Sequence, residues 1–83
     1  MVKVNLEETG RNIMDRCKAS GMTMTALTES LGLERTVPYM WRLGRCAPRL
    51  TTLVNVAHLL GCSVDELIVV EELDDNAEIP NED

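Results

Sequence analysis

Apolar residues recur at three- and four-residue intervals through most of this 83-residue chain, and glycines or capping residues interrupt the rhythm, so the pattern predicts a succession of short helices. The first begins at Asn5, which can cap the backbone while Glu8 sits where a capping box places it. Leu6, Thr9 with Gly10, Ile13 and Cys17 then recur at helical spacing, and the helix ends near Ser20 and Gly21. Thr23 caps a second helix with Leu27 and Leu31 on one side, and Gly32 supplies the left-handed turn that stops it. A third follows the turn from Leu33 to Thr36, places Val37, Met40 and Trp41 on one stripe, and ends before Gly44. Pro38 would break a helix interior, so this helix should begin late, with Thr36 as its cap, Pro38 in the first turn and Val37 pushed out of helical geometry. A fourth, from about Leu50 to Leu60, carries Leu53, Val54, Ala57 and Leu60 on one stripe and closes on Gly61. Ser63-Val64-Asp65-Glu66 is a second capping box ahead of Leu67, opening a short fifth helix. No long period repeats, which excludes a solenoid.

A chain of this length allows one domain with a small core. Tyr39 and Trp41 are its only aromatic residues, so that core must be aliphatic. The fold class expected is all-α: a compact bundle over residues 1–70, followed by an acidic, disordered tail over 71–83. Leu67 to Val70 is the longest apolar run, too short to span a bilayer, and the segment from Met1 to Asn5 lacks a signal-peptide core, so no membrane association and a cytoplasmic setting are expected. Cys17, Cys46 and Cys62 form an odd set without a Cys-x-x-Cys pair, as suits reduced, mostly apolar residues rather than a disulfide framework.

Charge changes the picture once it is mapped. The net charge is −6, but residues 71–83 hold seven acidic residues and no basic one, which leaves the body with eight basic against seven acidic. Between Arg35 and Val64 there is no Asp or Glu, whereas Arg35, Arg42, Arg45 and Arg49 fall in one short stretch. Arginine clusters commonly do no more than solvate a surface. Here the cluster coincides with the second of two short helices joined across a glycine turn, the frame of a helix-turn-helix, so double-stranded DNA becomes the first partner to consider.

The residues Thr9-Gly10-Arg11-Asn12-Ile13, Gly21 to Thr28, Leu31-Gly32-Leu33, Trp41 to Pro48, and Leu53 through Gly61 to Leu67 together resemble the Cro and phage-repressor type (XRE-like) helix-turn-helix family over roughly residues 6–68. The resemblance implies a lambda-repressor-like bundle of five helices in which helices 2 and 3 read DNA and two copies act as a homodimer. Arg35, Thr36, Tyr39 and Met40 take the outward positions of helix 3, where Arg can pair with guanine and Thr or Met can touch a thymine methyl. Packing is the reading favoured for Met40, which also lies on the inner stripe. Arg45 and Arg49 stand where family members touch the backbone, and Trp41 matches a core position. Three departures stand out. Met24 replaces the Gln that relatives aim at a phosphate. The Arg–Glu pair that many of them form between helices 1 and 3 is replaced by Cys17 and Arg42, leaving Arg42 to reach Asp15 or a phosphate. Pro38 stands where relatives carry an aliphatic residue.

Other chemistry is weaker. His58 and Cys62 could share a helix face, but a metal site needs three or four ligands and no second cluster exists, so neither a metal nor a cofactor is implied. No convergent acid and base, phosphate-binding glycine loop or zinc-protease motif is present, and no enzyme activity is expected. The function expected is a DNA-binding transcriptional regulator, a repressor on a two-fold operator. Its rival is an interaction module, antitoxin- or antirepressor-like, that holds a protein partner through helix 3 or through Leu67 to Val70 and the tail.

Overall fold

The computed structural model describes residues 1–73. In chain order these form β1 (Val2–Val4), α1 (Leu6–Ala19), α2 (Met24–Leu31), α3 (Val37–Arg42), α4 (Leu50–Leu60), α5 (Val64–Leu67) and β2 (Val70–Glu72). Five helices stand where the apolar rhythm puts them, and side chains cap α1, α2 and α5. The Asn5 carboxamide accepts from Glu8 N at 2.9 Å and the Thr23 hydroxyl from Ala26 N at 3.0 Å. At Ser63 the capping box closes in both directions: Ser63 Oγ accepts from Glu66 N at 3.2 Å, and Ser63 N donates to the Glu66 carboxylate at 2.9 Å.

The bonds from Ser63 hold the Glu66 carboxyl below its usual range, the backbone N–H contributing most, then the hydroxyl, with the Arg16 charge a smaller aid against slight desolvation. A lowered folded pKa makes this contribution complete above the ordinary value of 4.5 and removes it as the pH falls through the lower folded value. The gap in urea stability between wild type and Glu66→Gln should therefore be widest near neutral pH and shrink on acidification. A gap that stays constant down to strong acid would contradict the capping role.

The core joins Ile13, Trp41, Leu53, Val56, Ala57 and Leu67 from α1, α3, α4 and α5. Two stripes differ from those the spacing predicts. On α4, Val56 is buried beside Leu53 and Ala57, whereas Val54 is 49% exposed and Leu60 half-buried, since the helix turns its inner face slightly towards Val56. On α3, Pro38 and Trp41 are buried, while Val37 is half-buried and Met40 lies at the surface. The inner face of α3 is thus rotated away from Met40 and towards Pro38, which stands three residues before Trp41. Val37 nonetheless counts as the first helical residue, with its N–H donating to Glu34 O at 3.1 Å, and Thr36 O accepts from both Tyr39 N and Met40 N. Thr36 is the N-cap residue but has helical dihedrals, φ −80 and ψ −15, so its side chain makes no cap bond.

Gly10 lies in the middle of α1 and is buried there. A methyl group at this position would overlap the carbonyl group of Trp41 and stand 2.7 Å from Arg42 N. The absent side chain is what lets the backbone of α3 rest on α1.

The two strands correct the all-α expectation. β1 and β2 pair antiparallel with Val2 opposite Glu72, Lys3 opposite Glu71 and Val4 opposite Val70. Flanking bonds run from Asn5 N to Val69 O and from Leu73 N to Met1 O, both 2.8 Å, so Asn5 spends its N–H on the ribbon instead of on the Glu8 carboxylate. Helical periodicity cannot register a three-residue strand, and these residues read only as the lack of a signal peptide. β2 also crosses the boundary expected after residue 70, because Glu71 and Glu72 take part in pairing and Glu71 lies 3.7 Å from Lys3 Nζ. The remainder of the acidic tail, 74–83, lies outside the described residues. Leu67 is fully buried, Ile68 and Val69 are half-buried, and Thr9 accepts from Val69 N at 2.9 Å, so most of that apolar run closes the bundle. Among the described residues no helix is long and apolar enough to cross a membrane.

Candidate nucleic-acid interface

The residues singled out from the sequence, Arg35, Thr36, Tyr39, Met40, Arg42, Arg45 and Arg49, are all exposed. They do not form one cluster. Because Pro38 and Trp41 point inward, the outer face of α3 is set by Thr36, Tyr39 and Met40, with Leu43 following at helical spacing and 53% exposed. Sequence reasoning missed Leu43; its position one turn beyond Tyr39 and Met40 was the signal that could have found it. Arg35 precedes the helix, and its side chain borders a cleft of about 250 Å³ shared with Tyr39 and with Met24, Thr25 and Thr28 of α2. The front of α3 and the start of α2 thus form one surface. Thr28 is buried and donates to Met24 O and Thr25 O, both at 3.0 Å, which ties down the first turn of α2.

Arg42 faces elsewhere. It borders a second cleft with Met14, Asp15 and Lys18 of α1 and Met22 and Met24. Asp15, the partner considered for it, shares this cleft but forms no ion pair with it. Cys17 donates its thiol to Met22 O at 3.3 Å.

Arg45 and Arg49 flank the segment between α3 and α4. Gly44, at φ +73, reverses the chain after α3: its N–H donates to Trp41 O and that of Arg45 to Met40 O, each at 3.0 Å, which fixes the backbone of Arg45. Arg49 is the N-cap residue of α4 but makes no side-chain cap bond, and the first turn of α4 has no acidic residue. The N–H groups at the start of α4 are therefore open to an anion beside the Arg49 guanidinium. Among the described residues, the ion pairs are Lys3–Glu71, Arg11–Glu7 and Arg11–Glu8, so none engages Arg35, Arg42, Arg45 or Arg49.

The cysteines behave as their surroundings dictate. Cys46 is exposed, Cys62 intermediate and Cys17 buried, and burial pushes the Cys17 thiol up. A thiol-specific reagent should label Cys46 first in the folded protein and reach Cys17 only after unfolding, as peptide mass spectrometry would show. Equal labelling rates would mean that α1 does not pack as described.

No protein-family model matches the chain. No curated protein matches it either. Solved structures do, and three of them are crystal structures of HppE. The FeII form in complex with substrate is 28% identical with a TM-score of 0.70, the FeII form 28% with 0.69, and the apo form 27% with 0.71. The match takes in 89%, 92% and 96% of this chain but 44%, 42% and 46% of those, so the chain spans less than half of their length. Among the described residues no three His, Cys, Asp or Glu side chains gather as a metal set.

Proposed function

We propose that this chain is a sequence-specific DNA-binding regulator, a repressor that acts as a homodimer on a two-fold operator, with α2, the turn from Gly32 to Thr36 and α3 working as a helix-turn-helix. One observation carries the reading. The four arginines of the acid-free stretch are exposed, lack an ion-pair partner among the described residues, and surround a short helix whose outer face is exposed. Such charges suit phosphates, which supply most of the affinity and no sequence choice.

On this reading α3 enters the major groove. Its six residues rise only about 9 Å, so few side chains reach base edges: Arg35 as a bidentate donor to guanine, Thr36 and Met40 against thymine methyls, and Tyr39 between them. Arg45, Arg49 and the open start of α4 hold the backbone on one side of the groove. Arg42 and the first turn of α2 hold it on the other, where Met24 contributes packing instead of a hydrogen bond. No catalysis and no cofactor enter this account.

The interaction-module reading has its own support, since Tyr39, Met40 and Leu43 give the outer face of α3 an uncharged, largely apolar character suited to a protein partner. Salt separates the two. A dimer contacting DNA through these arginines neutralises roughly six to eight phosphates, so log affinity should fall against log salt with a slope of about −5 to −7. Fluorescence anisotropy on a labelled duplex measures this, and a slope near zero would favour the protein partner.

A further inference from the structure

We propose that the cleft between α1, the start of α2 and the end of α3 is a binding site for an amphipathic anion, an acid group carrying an unbranched aliphatic tail. The cleft is open to solvent and measures about 470 Å³, within the roughly 300–1,000 Å³ typical of small-molecule sites. Its apolar lining is unusual: Met14 from α1, Met22 from the turn and Met24 from the first turn of α2, each half-buried. Three unbranched thioether chains form an apolar wall that adapts to a flexible tail better than branched side chains do. The wall has a fixed backing, because Cys17 donates to Met22 O at 3.3 Å and Met22 N is held by Cys17 O at 3.0 Å.

The rim supplies the polar half. Lys18 and Arg42 border the same cleft and are exposed, against one acid, Asp15, and neither cation has an ion-pair partner among the described residues. Two cations over one carboxylate favour an anionic head, and the guanidinium can hold a carboxylate or phosphate through two hydrogen bonds. Apolar wall and cationic rim face one volume, which neither a purely apolar nor a purely ionic ligand would fill.

The consequence for DNA rests on the function proposed above. Arg42 and Met24 belong to that surface as well, so an anion seated here competes with a phosphate for Arg42 and weakens operator binding. The ligand would then be an inducer.

Calorimetry on the full chain, without DNA, tests the site with decanoate as the probe, kept below its micelle concentration, and decyltrimethylammonium as the tail-matched cation. Saturable decanoate binding is expected, with the cation weaker by about fivefold or more from the reversed rim interaction. Met14→Gln and Lys18→Gln should each weaken decanoate binding by several-fold while the circular-dichroism melt stays that of wild type. No saturable binding, equal binding of the cation, or unchanged affinity in both folded variants would overturn the site. Anisotropy with DNA is read separately. Decanoate that binds yet leaves DNA affinity unchanged overturns the inducer role, and a ligand-free chain that binds no DNA overturns the regulator reading while the calorimetry still decides the site.

Discussion

Gly10→Ala is expected to destabilise the protein by about 3 kcal/mol or more, against a total stability of roughly 4–12 kcal/mol for a chain of this size. Helix propensity alone predicts the opposite sign, because alanine in a helix interior is better than glycine by about 1 kcal/mol. Packing decides the outcome. The added methyl would meet the carbonyl of Trp41 and the amide of Arg42, which are backbone atoms that cannot rotate aside. α3 would have to lift from α1, and Trp41, 2% exposed in the core, would lift with it. Urea unfolding followed by tryptophan fluorescence measures the loss at the single tryptophan. A variant as stable as wild type would mean that α1 and α3 do not touch at this point.

The arginines should divide by role. Arg35→Ala should cost about 1–3 kcal/mol on the best DNA site and relax preference at one base position per half-site, because a bidentate pair to guanine is lost. Arg49→Ala should weaken all duplexes alike and reduce the salt slope by about one per contact removed. Combining Arg45→Ala with Arg49→Ala would strip the proposed phosphate contacts after α3 from both protomers of the proposed dimer. It should produce the largest loss of DNA affinity while leaving the melting temperature near that of wild type, since both residues are exposed and outside every ion pair among the described residues. A double variant that still binds every duplex as wild type does would remove these arginines from the interface.

The helices were legible because their ends carry explicit chemistry. Asn5, Thr23 and Ser63 accept the bonds their positions promised, and the late start of α3 followed from the missing N–H of Pro38. What periodicity could not supply was the rotation of each helix. Val54 and Val56 are equally apolar, and only the packing of the whole cluster, to which Val56 belongs and Val54 does not, selects Val56 for the core. The ribbon was hidden for a different reason: its strands are short, distant in sequence and exposed throughout, so their pairing leaves no local pattern. At the candidate interface, exposure of the arginines was readable from charge. Arg42 borders the cleft that holds Asp15, the helix 1 residue considered for it, but that Met14, Met22 and Met24 line the same cleft has no signature in α3 itself.

The central claim, that α3 and its flanking arginines read double-stranded DNA, is tested most directly by repeated selection of binders from random duplexes, run in parallel at low and moderate salt. Enrichment of a two-fold motif whose half-sites lie about one helical turn apart is the predicted result, with recovery falling as salt rises. Failure to enrich any sequence, together with no retention of duplex even at low salt, would contradict it.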